Sequence, residues 1–98
     1  MKIAVVSGGF DPIHSGHIDY ISEAKKNADY LIVALNSDNW LSKKKGKPFM
    51  EFNERKQILE SIKYVDEVID FDDSDGSCIG ALEKIKNIYP DTDITFCN

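Results

Sequence analysis

The stretch KIAVVSGGFDPIHSGHI, residues 2–18, passes from an apolar run into three glycines, a proline and both histidines of the chain. A short continuous apolar run that ends in glycines predicts a buried β-strand. After Ser15 the pattern changes. Ile18, Ile21 and Ala24 fall at three-residue steps, with Ala28 one turn further on, which predicts a helix with Ser15 as its N-cap. A strand that feeds a helix through a glycine-rich turn opens an α/β unit.

The rest of the chain repeats that alternation. YLIVALNS is a second, almost wholly apolar strand, as suits a parallel sheet covered on both faces. DNWLSKKKGKPFMEF reads as a polar, flexible loop, and its fifteen residues are long for a plain connection. NERKQILESIKY predicts a second helix capped by Asn53, with Ile58, Leu59 and Ile62 facing inward. VDEVIDF is a third strand. SDGSCIGALEKIKNIY is a third helix on Cys78, Leu82, Ile85 and Tyr89, stopped by Pro90. DITFCN is a fourth strand. The sum is one α/β domain over residues 1–98: a Rossmann-like parallel sheet of four strands with helices on both faces. Ligands of such sheets sit beyond the carboxyl ends of the strands.

Composition narrows the function classes. Hydrophobic residues make up 42% and charged residues 30%, ordinary for a globular domain. The formal net charge of −5 argues against a general nucleic-acid binder, which needs a basic face. IAVV is too short for a signal-peptide core or a membrane span, so a cytoplasmic protein without a membrane partner is expected. Cys78 and Cys97 lie far apart and are expected as two reduced, buried thiols. Charge is unevenly placed. KKKGK at 43–47 holds four of the twelve cationic residues and suits a small polyanion such as a nucleotide. DEVIDFDDSD at 66–75 holds six acids and is expected as a solvated edge.

The first turn carries the chemistry. Gly8, Gly9 and Gly16 do not have GxGxxG spacing, and no GK[ST] is present, which sets aside dinucleotide oxidoreductases and Walker-type NTPases. What remains is His14 before a helix and His17 in its first turn. Free N–H groups and the helix dipole there favour an anion. Gly16 leaves space where a phosphate oxygen could approach, and two imidazole N–H groups could hold charge that develops in a transition state.

GGFDPIHSGH resembles the signature of the nucleotidyltransferase superfamily, in which HxGH or TxGH follows the first strand. VALNSD, KKKGKP and NERKQILESIKYVDEVI are similar to the cytidylyltransferase-like branch, which includes glycerol-3-phosphate cytidylyltransferase and heptose-phosphate adenylyltransferase. The resemblance runs from Lys2 to about Phe96. It implies in-line attack of a substrate phosphate on the α-phosphate of CTP or ATP, with Mg²⁺ on the triphosphate, pyrophosphate leaving and a small phosphorylated acceptor taking the nucleotidyl group. It places His14 and His17 at the reacting phosphates and the backbone of Gly8, Gly9 and Phe10 around the nucleotide, with Gly16 leaving room. Lys44 and Lys47 match the family's loop lysines, and Lys45 is as plausible as either. Arg55 matches a helix arginine that reaches the phosphates or the acceptor. Asp11 is a turn former or a nucleotide contact. Asp38 is a ligand-facing carboxylate or a cap, and Trp40 a lid or a core anchor. Tyr64 and Asp66 match a region near a homodimer contact. The family also carries a Gly/Asp-rich turn, a further strand and an ISTTxI-like motif after the fourth strand. None of these occurs in residues 1–98, so a domain lacking the family's C-terminal segment is expected, with a nucleotide-binding module without turnover as the alternative.

Overall fold

A computed structural model describes residues 1–97, and all their side chains except that of Cys97. Four strands, β1 (Lys2–Gly8), β2 (Tyr30–Leu35), β3 (Glu67–Ile69) and β4 (Asp93–Cys97), form one sheet in the order β3-β2-β1-β4. Every neighbouring pair is parallel, and Val5 stands opposite both Ile32 and Phe96. The helices are α1 (Ser15–Lys25), α2 (Asp38–Lys45), α3 (Phe52–Glu60) and α4 (Ile79–Ile88). The parallel sheet with flanking helices agrees with the Rossmann-like expectation.

Alternation along each strand divides the core in two. Ala4, Val6, Leu31, Val33 and Leu35 pack with Ile21 of α1 and Leu59 of α3. Ile3, Val5, Ile32 and Ala34 pack with Ala81 and Ile85 of α4 on the opposite face. Both faces of β2 are covered, so its apolar run is continuous rather than alternating. Each fully buried Val, Leu or Ile contributes about 1.5–3 kcal/mol over exposure. The chain steps from β1 to β2 to β3 in one direction, and α4 then carries it back to β4 on the other side of β1. That reversal places the switch point of the sheet between β1 and β4.

Several boundaries differ from the sequence reading. The expected loop after β2 contains helix α2. Ser37 caps it by accepting the Trp40 N–H, Leu41 buries its inner side, and Gly46 ends it at φ 90°. The lysine run looked like loop because one buried residue in eight makes a weak apolar stripe. In α1 the cap is His14, not Ser15. Helix α3 begins at Phe52 with Glu51 at the cap position, so Asn53 lies inside it, and its inner face is Arg55 and Leu59 with Ile58 only half-buried. Cys78 is half-buried at the start of α4, not in the core, and the Cys97 side chain lies outside the description. The acidic run is not all solvated edge. Asp66 accepts the Leu31 N–H at 2.7 Å, and Asp73 is 7% exposed. Among the described residues, no helix is long and apolar enough to cross a membrane.

Candidate active site

The turn between β1 and α1 holds the two histidines in a reciprocal cap. His14 is extended at φ −144°, and its Nδ1 accepts the Gly16 N–H at 3.1 Å. The His14 N–H in turn donates to His17 Nδ1 at 3.1 Å. This is a capping box in which imidazoles replace the usual hydroxyl and carboxylate. A neutral imidazole whose Nδ1 accepts carries its proton on Nε2. Both rings therefore keep an Nε2–H as the remaining donor. They stack at 3.9 Å between centroids, and the buried Phe10 ring meets His17 edge-on at 5.0 Å. The three-residue spacing matters because it closes this cap.

Of the donors the sequence suggested, two backbone N–H groups are already engaged, which leaves the imidazoles. The Gly16 N–H goes to the His14 ring and the His17 N–H to the His14 carbonyl, so imidazole donors stand where free backbone donors were expected. The room that Gly16 leaves is taken by the same ring, since a Cβ there would lie 2.9 Å from His14 Cε1. Gly9 lets α2 close onto the turn: its Cβ would lie 2.7 Å from Leu41 Cδ2. At Gly8 a Cβ would press on the Phe10 ring at 3.2 Å.

Burial first, and the neighbouring His14 charge second, hold the His17 pKa below its ordinary 6.5. Protonation would also fill the Nδ1 that caps the helix. The unfolded chain therefore binds this proton more readily than the folded one. The His17 contribution to stability is complete above about pH 6.5 and is lost as pH falls through the folded value. The melting temperature should fall on acidification from pH 7 to 5, and His17→Asn should flatten that limb. A parent curve level across this range would contradict the cap.

The loop lysines divide. Lys45 Nζ pairs with Asp11 Oδ2 at 2.7 Å and donates to the Asp11 carbonyl at 2.8 Å. The Asp11 carboxylate also accepts the N–H groups of Phe49 and Met50, both at 2.6 Å. Burial would raise its pKa, but Lys45 and the two amides outweigh that and hold it below the usual range. These contacts make Asp11 a latch between the histidine turn and the segment after α2, which neither reading of it describes. Lys44 lies 4.7 Å from the Trp40 ring, and Lys47 is exposed.

Arg55 and Asp73 hold the turn after β2. The Arg55 guanidinium, expected at the phosphates or the acceptor, is 1% exposed and turned into its own chain. It donates to the carbonyls of Gly9, Asn36 and Met50 and to Asp38. Asp73, expected with the rest of the acidic run as solvated edge, accepts from Ser37 N–H and Oγ–H, both at 2.8 Å, and from Asn36 Nδ2 at 3.1 Å. Its only mark in the sequence is position: it follows β3 just as Asn36 and Ser37 follow β2, and parallel strands bring those ends together.

The fold is a parallel α/β sheet with the capped histidine turn at the carboxyl end of β1, beside the switch point. The chain belongs to the cytidylyltransferase-like family, whose profile matches residues 5–95. It is 45% identical over 69 residues to glycerol-3-phosphate cytidylyltransferase of Bacillus subtilis, covering 70% of this chain and 54% of that protein. It is 42% identical over 86 residues to FAD synthase of Ferroglobus placidus, covering 88% and 55%. It is 39% identical over 93 residues to the bifunctional protein HldE of Caulobacter vibrioides, covering 93% and 18%. The chain thus spans about half the length of the first two relatives. A lipopolysaccharide core biosynthesis protein from Thermoplasma volcanium shares the fold at TM-score 0.72 and 24% identity, over 100% of this chain and 97% of that one.

Proposed function

We propose that this chain carries the catalytic histidines of a nucleotidyltransferase. The enzyme moves a nucleotidyl group, CMP favoured, from a nucleoside triphosphate to a small phosphorylated acceptor such as glycerol 3-phosphate. The observation that carries this reading is the imidazole pair with both Nδ1 atoms occupied and both Nε2–H groups left as donors. An acceptor phosphate oxygen attacks the α-phosphorus in line and forms the new P–O bond. The bond to the β-phosphate breaks, and pyrophosphate leaves with its electron pair. No covalent enzyme intermediate forms. His14 and His17 donate to α-phosphate oxygens as charge builds there, and Lys44 and Lys47 draw in the rest of the triphosphate. The turn offers proton donors, and Asp11 is already engaged by amides and Lys45. This donor set suits phosphate oxygens, so Mg²⁺ belongs to the triphosphate that it accompanies.

CTP and a polyol phosphate are favoured by the 45% identity to glycerol-3-phosphate cytidylyltransferase. ATP is the second reading, because the FAD synthase and HldE matches span more of the chain and FAD contains an adenylyl group. A cytoplasmic homodimer with Tyr64 and Asp66 near its contact completes the proposal. The test is pyrophosphate release with Mg²⁺, CTP or ATP, and glycerol 3-phosphate or a sugar phosphate. Release is expected to be fastest with CTP and glycerol 3-phosphate. An ATP pair in front would install the second reading. Nucleotide binding with no release from any pair would leave a binding module.

A further inference from the structure

Arg55 is the largest fully buried side chain among the described residues, on the inner face of α3 where an aliphatic residue would be usual. A guanidinium is retained in such a place when its charge and donors are met. Four of its contacts are defined. Nε donates to the Met50 carbonyl at 3.0 Å, and Nη1 donates to those of Gly9 at 2.9 Å and Asn36 at 2.8 Å. Nη2 donates to Asp38 Oδ1 at 2.7 Å. The acceptors belong to the turn after β1, the end of β2, the approach to α3 and the first residue of α2. One rigid fork therefore ties together four segments around the carboxyl end of the sheet. The Gly9 contact matters most. Phe10 follows at φ 49°, a backbone region rare for a residue with a side chain, and its ring rests on His17.

We propose that Arg55 is a positioning residue of the nucleotide site: it holds the Gly9–Phe10 turn, and through Phe10 the His17 ring, and is not a phosphate ligand. The proposal rests on the nucleotidyltransferase reading for what the site binds. Asp38 is the counter-ion that keeps the fork in place.

Two variants and two measurements test it. Arg55→Lys keeps the charge but cannot span four acceptors, and Asp38→Asn removes the counter-ion at a side chain that is 42% exposed. Imidazole ¹⁵N spectra need no ligand. The parent should show His17 in one tautomer with the proton on Nε2, and both variants should show mixed tautomers. Affinity is then read from fluorescence of Trp40, the sole tryptophan, with CMP, CDP and CTP. Both variants should weaken all three nucleotides by a common factor of about ten or more. A phosphate ligand would instead lose more with each added phosphate in Arg55→Lys. Charge alone would make Asp38→Asn bind CTP more tightly. Either result overturns the proposal, as do lower melting temperatures with unchanged tautomers and affinities in the folded variants. Should Arg55→Lys not fold, Asp38→Asn decides by the same readouts. A parent blind to every nucleotide would remove the nucleotidyltransferase reading, while the spectra would still decide whether Arg55 holds His17.

Discussion

Replacing His17 with alanine should reduce pyrophosphate release by about a hundredfold or more, the usual cost of losing a donor to developing charge. The loss has two sources. Alanine removes the Nε2–H that would meet the α-phosphate. It also removes the Nδ1 that accepts the His14 N–H, and so frees the cap of α1. Cap loss alone is worth about 1 kcal/mol. His17→Asn separates the two, because its Oδ1 can stand near the Nδ1 position while nothing replaces Nε2–H. Asparagine should therefore restore most of the melting temperature and little of the turnover. The measurement pairs steady-state pyrophosphate release with thermal unfolding for parent and both variants. An alanine variant as active as the parent would remove His17 from the chemistry, and an asparagine variant with full turnover would reduce its role to capping.

Asp73→Ala should produce the largest loss of stability. Asp73 is 7% exposed and accepts three hydrogen bonds, two from Ser37 and one from Asn36. Alanine would leave those donors unmatched in a closed space, at a total of about 3 kcal/mol after partial rehydration. For a domain of this size that lowers the melting temperature by about 15 °C. Ser37 couples this loss to α2, since its Oγ accepts the Trp40 N–H while donating to Asp73. The lysine-bearing helix should fray together with the turn. Burial would raise the Asp73 pKa, but the Ser37 and Asn36 donors hold it below its usual 3.8. Its contribution is thus present above about pH 3.8 and lost below that, and the parent and variant curves should converge in strong acid. Melting temperatures within 3 °C of each other at pH 7 would show that Asp73 is solvated after all.

Much of the architecture was legible because it is local. The apolar runs of β1 and β2, the three-residue steps of α1 and the stop at Pro90 each depend on neighbours a few positions away. Helix α2 was not legible, since its support comes from the Ser37 cap and from Leu41 packing near Gly9, which no apolar stripe announces. The site divided in the same way. The His14–Gly16–His17 cap closes within four residues and could be found as a motif. The roles of Asp11, Arg55 and Asp73 could not, because all their partners except Met50 beside Arg55 lie 17 to 46 positions away.

By itself, then, the sequence determined the α/β alternation, the parallel sheet and the place of the histidine pair, all matters of periodicity and short spacing. Only the tertiary structure decided which charged groups hold the frame. It tied Lys45 to Asp11 and turned Arg55 inward with Asp38. It also seated Asp73 under the turn after β2. The reason is that a parallel sheet gathers the carboxyl ends of distant strands on one side. There a buried charge or carboxylate settles where donors and acceptors from several turns can meet it.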